Sequence, residues 1–129
     1  MPRILIVDDD VVLCRLLKNF LQIHNMESDS LYNGEDAHAL FSSPEYSRYD
    51  LLLLDVTMPG KDGFEVLQAI RANSINIPVI MWTASGNPAD KREAYSSGAD
   101  YFFFKPCDPH ELVARINALL NARKALVEN

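Results

Sequence analysis

Four consecutive leucines, Leu51-Leu52-Leu53-Leu54, run without a polar interruption into Asp55. A segment that short and that apolar has the length of a strand, and the lack of polar alternation means that both of its faces are covered. Ile4-Leu5-Ile6-Val7, Val79-Ile80-Met81-Trp82 and Tyr101-Phe102-Phe103-Phe104 repeat the pattern. Such strands belong to a parallel sheet, whose crossovers are right-handed and long enough to require a helix. The charges at the strand tips then need a chemical reason. Asp55 closes one run and Asp8-Asp9-Asp10 close another. An ionised group at the end of a buried strand is costly unless it emerges into a polar pocket or meets a cation.

Helical patterns fill the gaps between strands. Leu13, Leu16, Leu17, Phe20 and Leu21 recur at helical spacing, with Asp9 or Asp10 able to cap them. A weak second strand is expected at about Glu27 to Leu31; Asn33-Gly34 predicts a turn, and Ala37, Leu40 and Phe41 a short helix. After Pro59-Gly60 a helix buries Phe64, Leu67 and Ile70. Asn87 or Pro88 opens a short helix of mixed polarity that ends near Gly98, and a last amphipathic helix spans Pro109 to about Lys124, with Leu112, Ile116, Leu119 and Leu120 inward. The result is an α/β chain of five strand-helix repeats with helices on both faces of the sheet. At 129 residues and 48% apolar composition it supports one domain with a single core.

A formal net charge of −6, with no cluster of Lys or Arg, disfavours direct nucleic-acid binding by this domain. No apolar run reaches membrane-spanning length, and the first residues lead into a core strand rather than a signal peptide, so no membrane association and a cytoplasmic location are expected. Cys14 and Cys107 fit neither metal spacing nor a disulfide framework. His24, His38 and His110 fall on separate elements and read as surface imidazoles.

In open parallel sheets, ligands bind beyond the carboxyl ends of the strands. Asp8, Asp9 and Asp55 lie at such ends, as do Thr83 and Lys105. Taken singly, the acids are helix caps, Thr83 a turn residue, Lys105 a solvated lysine and Phe102 part of the core. Taken together, three carboxylates in one cleft call for a divalent cation, and oxygen-only ligands point to Mg²⁺, with Mn²⁺ as substitute. A metal alone needs neither Lys105 nor Thr83. An ammonium and a hydroxyl beside the same carboxylates make sense if a phosphoryl group is held there, with Asp55 as the nucleophile that accepts it.

Ile4-Leu5-Ile6-Val7-Asp8-Asp9, Leu53-Leu54-Asp55-Val56-Thr57-Met58-Pro59-Gly60-Lys61-Asp62-Gly63, Met81-Trp82-Thr83-Ala84 and Gly98-Ala99-Asp100-Tyr101-Phe102-Phe103-Phe104-Lys105-Pro106 resemble, in order, the receiver domain of two-component response regulators. The resemblance covers residues 1–124, leaving 125–129 as a tail or the start of a linker to an effector domain. It implies a flavodoxin-like three-layer (βα)5 sandwich with strand order 2-1-3-4-5. It also implies that Asp55 is the phosphoacceptor and that Asp8, Asp9, Asp55 and the backbone carbonyl of Thr57 hold Mg²⁺. Lys105, followed by a peptide to Pro106 that is typically cis, contacts the phosphoryl group; Thr83 and Phe102 form the conformational switch. Phe102 has no hydroxyl where a Tyr is common, so its ring alone can signal.

The same resemblance implies a histidine kinase or histidine phosphotransfer protein as phosphodonor, an effector domain or partner as recipient of the signal, and no enzymatic turnover beyond self-catalysed phosphorylation and dephosphorylation. Glu111-Leu112-Val113-Ala114-Arg115-Ile116 resembles the last helix of receivers that form homodimers through the last helix, the fifth strand and the preceding helix. Lys91 with Glu111 could form one cross-subunit pair there, and Asp100 and Arg115 are also present, but Tyr101 and Ala122 replace an expected acid and base. The competing reading is an aspartate-nucleophile phosphohydrolase. Such enzymes generally need a second aspartate two residues beyond the nucleophile, where this chain has Thr57.

Overall fold

A computed structural model describes residues 1–128, and its strands and helices alternate as the hydrophobic runs predict. The strands are β1 (Arg3–Val7), β2 (Glu27–Leu31), β3 (Leu51–Asp55), β4 (Val79–Thr83) and β5 (Tyr101–Phe104). They are followed in turn by the helices α1 (Val11–Ile23), α2 (Gly34–Phe41), α3 (Gly63–Ala72), α4 (Pro88–Ser96) and α5 (Pro109–Glu128). All pairings are parallel, and the sheet order is β2-β1-β3-β4-β5. This is the flavodoxin-like order, with β3 at the centre.

Although the apolar runs do not alternate in polarity, their side chains alternate between two layers. Leu5, Val7, Leu52, Leu54, Val79 and Met81 pack on one side with Phe41, Phe64, Leu67, Ile70 and Ala94 of α2, α3 and α4. Ile4, Ile6, Leu51, Leu53, Ile80 and Trp82 pack on the other with Cys14, Leu17, Leu21, Leu112, Val113 and Ile116 of α1 and α5. All four leucines of β3 are inaccessible to solvent. Each contributes about 1.5–3 kcal/mol by leaving water, and Ile4, Leu5, Ile6 and Val7 of β1 are equally inaccessible, so the two central strands are held alike. The polar strand β2 is an edge strand; Asp29 on it accepts hydrogen bonds from Arg3 and from the Tyr49 hydroxyl.

Three local details depart from the expectation. Asn33-Gly34 is not a free turn but the start of α2, because the Asn33 side chain accepts from the Asp36 N–H and caps the helix. A 3₁₀ turn over Pro44–Arg48 precedes β3, opened by Ser43 as cap and Pro44 in the first position. The last helix continues past Lys124 to Glu128, since Arg123-Lys124-Ala125-Leu126 are good helix formers with no Pro or Gly to stop them.

Arg71 closes the end of the sheet opposite the strand tips. Its guanidinium donates to the Gly98 carbonyl from two nitrogens, at 3.1 and 3.0 Å, and to the Ile75 carbonyl at 2.8 Å, and it pairs with Asp100 at 3.3 Å. Replacing Arg71 with Ala leaves these partly buried carbonyls short of donors and is expected to cost about 2–3 kcal/mol, measurable as a lower urea midpoint with unchanged slope. Arg71→Lys should recover less than half of the loss, because an ammonium cannot reproduce the fork.

Candidate functional site

The strand tips converge because the sheet pairing holds their backbones in register. Asp8 N–H donates to the Leu31 carbonyl at 3.0 Å, Val56 N–H to Trp82 at 3.0 Å, and Lys105 N–H to Thr83 at 2.8 Å. At the tip of β3 the chain turns sharply, with Gly63 N–H bonded to the Val56 carbonyl at 2.8 Å. A Cβ on Gly63 would stand 2.2 Å from the Asp55 carbonyl oxygen, so only glycine lets α3 begin this close to the strand.

The structure brings Asp8, Asp9, Asp55 and Lys105 into one cleft. One carboxylate oxygen from each of the three acids lies within 4.8 Å of the others. Asp8 and Asp55 are buried, at 0% and 4% exposure, while Asp9 is exposed. The neighbouring Asp10 serves a different purpose: its side chain accepts from Leu13 N–H and caps α1, which leaves Asp9 uncommitted. Asp8 is held on both oxygens, by Asp10 N–H at 2.9 Å and by Lys105 Nζ at 2.6 Å. Lys105 Nζ also stands 3.5 Å from Asp55 Oδ2, an ion-pair distance rather than a hydrogen bond. The Lys105-Pro106 peptide is cis.

The ammonium is therefore shared, and Asp8 holds most of it. Burial alone would lower the Lys105 pKa, but the hydrogen bond to Asp8 and the charges of Asp55 and Asp8 override it and raise the group above its ordinary value. Asp55 is less well compensated. Burial first and the charge of Asp8 second push its carboxyl from 3.8 up to about 6, against the opposing pull of Lys105 and of a long 3.4 Å hydrogen bond from Thr57 N–H.

Thr83 is buried, at 1% exposure, and its hydroxyl oxygen accepts from Ser85 N–H at 3.2 Å. The Ser85 hydroxyl donates in turn to Asp90 in the first turn of α4, a link that sequence spacing alone did not single out. Phe102 is 5% exposed and already packed in the layer with α3 and α4, edge-on to the more exposed Phe104 at 4.9 Å. Trp82 was expected only as a core residue. Its ring, in the layer with α1 and α5, also lies under the Lys105 ammonium, with Nζ 4.8 Å from the centroid.

A family model for the response regulator receiver domain matches residues 4–117. The chain belongs to that family. Its curated relatives include the transcriptional regulatory protein ResD of Bacillus subtilis, 41% identical over 118 residues, which cover 92% of this chain and 48% of ResD. The transcriptional regulatory protein SrrA of Staphylococcus aureus is 38% identical over 118 residues, with 92% and 47% covered. The chain thus spans about half the length, or less, of the curated relatives it matches. Among solved structures, the receiver domain of Francisella response regulator 1452 superposes with a TM-score of 0.87 at 29% identity, covering 95% of this chain and 99% of that one. A CheY-like receiver domain protein from Methanospirillum hungatei gives 0.88 at 26% identity, covering 97% and 98%. Two-component signalling is therefore the setting of this domain. No helix among the described residues is long and apolar enough to cross a membrane.

The raised Asp55 value has a consequence for stability. A carboxyl whose folded pKa exceeds its unfolded one takes up an extra proton in the folded chain between about pH 4 and about 6. The metal-free domain therefore loses stability as pH rises through that window and does not regain it above. At about 1.4 kcal/mol per unit, Asp55→Asn should be more stable than the wild type by roughly 2–3 kcal/mol at neutral pH in the presence of chelator. Urea unfolding should show that gap closing below about pH 4.

Proposed function

We propose that Asp55 accepts a phosphoryl group from a phosphohistidine on a sensor kinase or phosphotransfer protein, and that the chain signals by the resulting change of shape. The observation that carries this reading is the single ammonium of Lys105 placed between two buried carboxylates, 2.6 Å from Asp8 and 3.5 Å from Asp55. A lysine that served only to neutralise Asp8 would have no reason to reach Asp55 as well.

The donor set fits Mg²⁺. Adjacent ligand oxygens around that ion lie about 2.9 Å apart and opposed ones about 4.2 Å, so three carboxylate oxygens already within 4.8 Å of one another close by no more than about 2 Å to share one. Asp8, Asp9, Asp55 and the Thr57 carbonyl would hold it, with Mn²⁺ an acceptable substitute. When bound, the ion supplies positive charge to neutralise the acids and the transferring group. Asp55 attacks phosphorus with one carboxylate oxygen, the bond from phosphorus to the donor imidazole nitrogen breaks, and an acyl phosphate results. Lys105 moves its ammonium from Asp8 toward the new dianion. Thr83, which accepts from Ser85, still has its own O–H proton to offer a phosphoryl oxygen. Its inward rotation would pull on Ser85, and through the Ser85–Asp90 bond on α4. Phe102, buried beside α4, responds by repacking, without a phenol hydrogen bond.

Intact-mass measurement after treatment with acetyl phosphate and Mg²⁺ is expected to show one phosphoryl group per chain. Asp55→Asn should show none, and Lys105→Ala a labelling rate lower by at least about tenfold. Continuous release of phosphate from a generic phosphomonoester would instead favour the phosphohydrolase reading. Absence of any adduct in the wild type would overturn the proposal.

We assign the output surface to α4, β5 and α5. A homodimer across this face would centre on Lys91 and Glu111, since Asp100 is engaged by Arg71 and Arg115 stacks on the Tyr101 ring of its own chain at 3.9 Å. Sedimentation with and without beryllofluoride should show self-association that strengthens with the phosphoryl mimic and is lost in Glu111→Lys. Monomers in both states would remove the dimer.

A further inference from the structure

His24 and His110 sit 86 residues apart in sequence, yet the fold sets them side by side. His24 is the C-terminal cap of α1 and His110 stands in the first turn of α5; their ring centroids are 6.0 Å apart with planes at 87°. Phe20, one turn before His24, seats both rings: it lies 4.7 Å from His24, tilted, and 5.1 Å from His110, edge-on. Neither imidazole makes a hydrogen bond or an ion pair with a described residue. Two imidazoles are thus held near each other by an apolar ring with their nitrogens uncommitted.

We propose that His24 and His110 form a second metal site, for a borderline divalent ion of the Zn²⁺ or Ni²⁺ kind, distinct from the acidic cleft. An imidazole nitrogen binds Zn²⁺ at about 2.0–2.1 Å, which puts each ring centroid about 3.2 Å from the ion. Two such rings stand about 5.2 Å apart in a tetrahedral arrangement and about 6.4 Å apart when opposed, so the observed 6.0 Å already falls within the span of one shared ion. His24 is partly exposed and His110 exposed, so the small rotations that aim the nitrogens meet little resistance. The last carbonyls of α1 favour a cation at His24.

Further donors lie on the same turn as His110. The run Cys107-Asp108-Pro109-His110-Glu111 carries a half-buried thiol and two exposed carboxylates, and Asp108 accepts from His110 N–H at 2.8 Å, but among the described residues only Asp8, Asp9 and Asp55 gather three such donors within 4.8 Å, so this site rests on its two imidazoles. Water would complete the shell. Ligand softness sorts ions between the two sites: imidazole suits Zn²⁺ and Ni²⁺, and the oxygen-only cleft suits Mg²⁺. An ion bound here would bridge α1 to α5, two helices that otherwise meet through side-chain packing.

The test is calorimetric titration of the untagged chain with Zn²⁺ or Ni²⁺ in saturating Mg²⁺, using wild type, His24→Gln, His110→Gln and His38→Gln. One ion per chain is expected to bind in the wild type and in His38→Gln, with affinity reduced at least about tenfold in either of the other two variants. In parallel, Zn²⁺ should raise the thermal midpoint of the wild type by several degrees and leave that of His24→Gln unmoved. Absence of binding in the wild type, binding that survives both substitutions, or displacement by Mg²⁺ would each overturn the proposal. These readouts do not involve phosphorylation of Asp55, so they stand apart from the phosphoacceptor reading.

Discussion

Two carboxylates buried at adjacent strand ends cannot both be ionised without a counter-charge, and the rest of this cleft follows from that constraint. Lys105 supplies the charge from 97 residues away in sequence, and the fold brings it there by pairing β5 with β4 and β4 with β3. One ammonium does not neutralise three acids. The deficit falls on Asp55, whose carboxyl is pushed up by burial and by the charge of Asp8, and it leaves the cleft favouring anything that adds positive charge or removes negative charge. Apolar burial builds the sheet; the charge that burial leaves incompletely compensated gives the sheet edge its chemistry.

The helices distribute that local imbalance unevenly. The central strand is sealed by four inaccessible leucines and is fixed, whereas α4 buries only Ala94 of its own residues and is otherwise polar. Few buried contacts and exposed hydrogen bonds mark a segment that moves at low cost. Ser85 links that loosely held helix to the hydroxyl at the tip of β4. The covering helix that buries the least of itself is thus hydrogen-bonded to the edge of the acidic cleft.

Much of this was legible in the amino-acid sequence, because buried parallel strands announce themselves as short unbroken apolar runs and their carboxyl ends can be counted off. Asp8, Asp9, Asp55, Thr83 and Lys105 could be gathered at one edge on those grounds alone. What could not be read depends on distances between elements. Nothing in the spacing says that Lys105 prefers Asp8 to Asp55, since the preference rests on a difference of about 1 Å set by the backbone at the end of β5. The histidines looked scattered because sequence order hides the contact between α1 and α5. The end of α5 is hidden for a different reason: no stop signal lies after Lys124, and helix propensity carries the chain on to Glu128.

Trp82 is the only tryptophan in the chain, and the ammonium of Lys105 hangs over its ring at 4.8 Å. A cation at that distance polarises the indole and shifts its emission, so the chromophore registers where the lysine is. Each change of charge in the cleft that draws Lys105 away from Asp8 alters the field the ring feels. The one indole of the chain thus lies where a shift of Lys105 changes the charge above it, on a side chain that also fills the core.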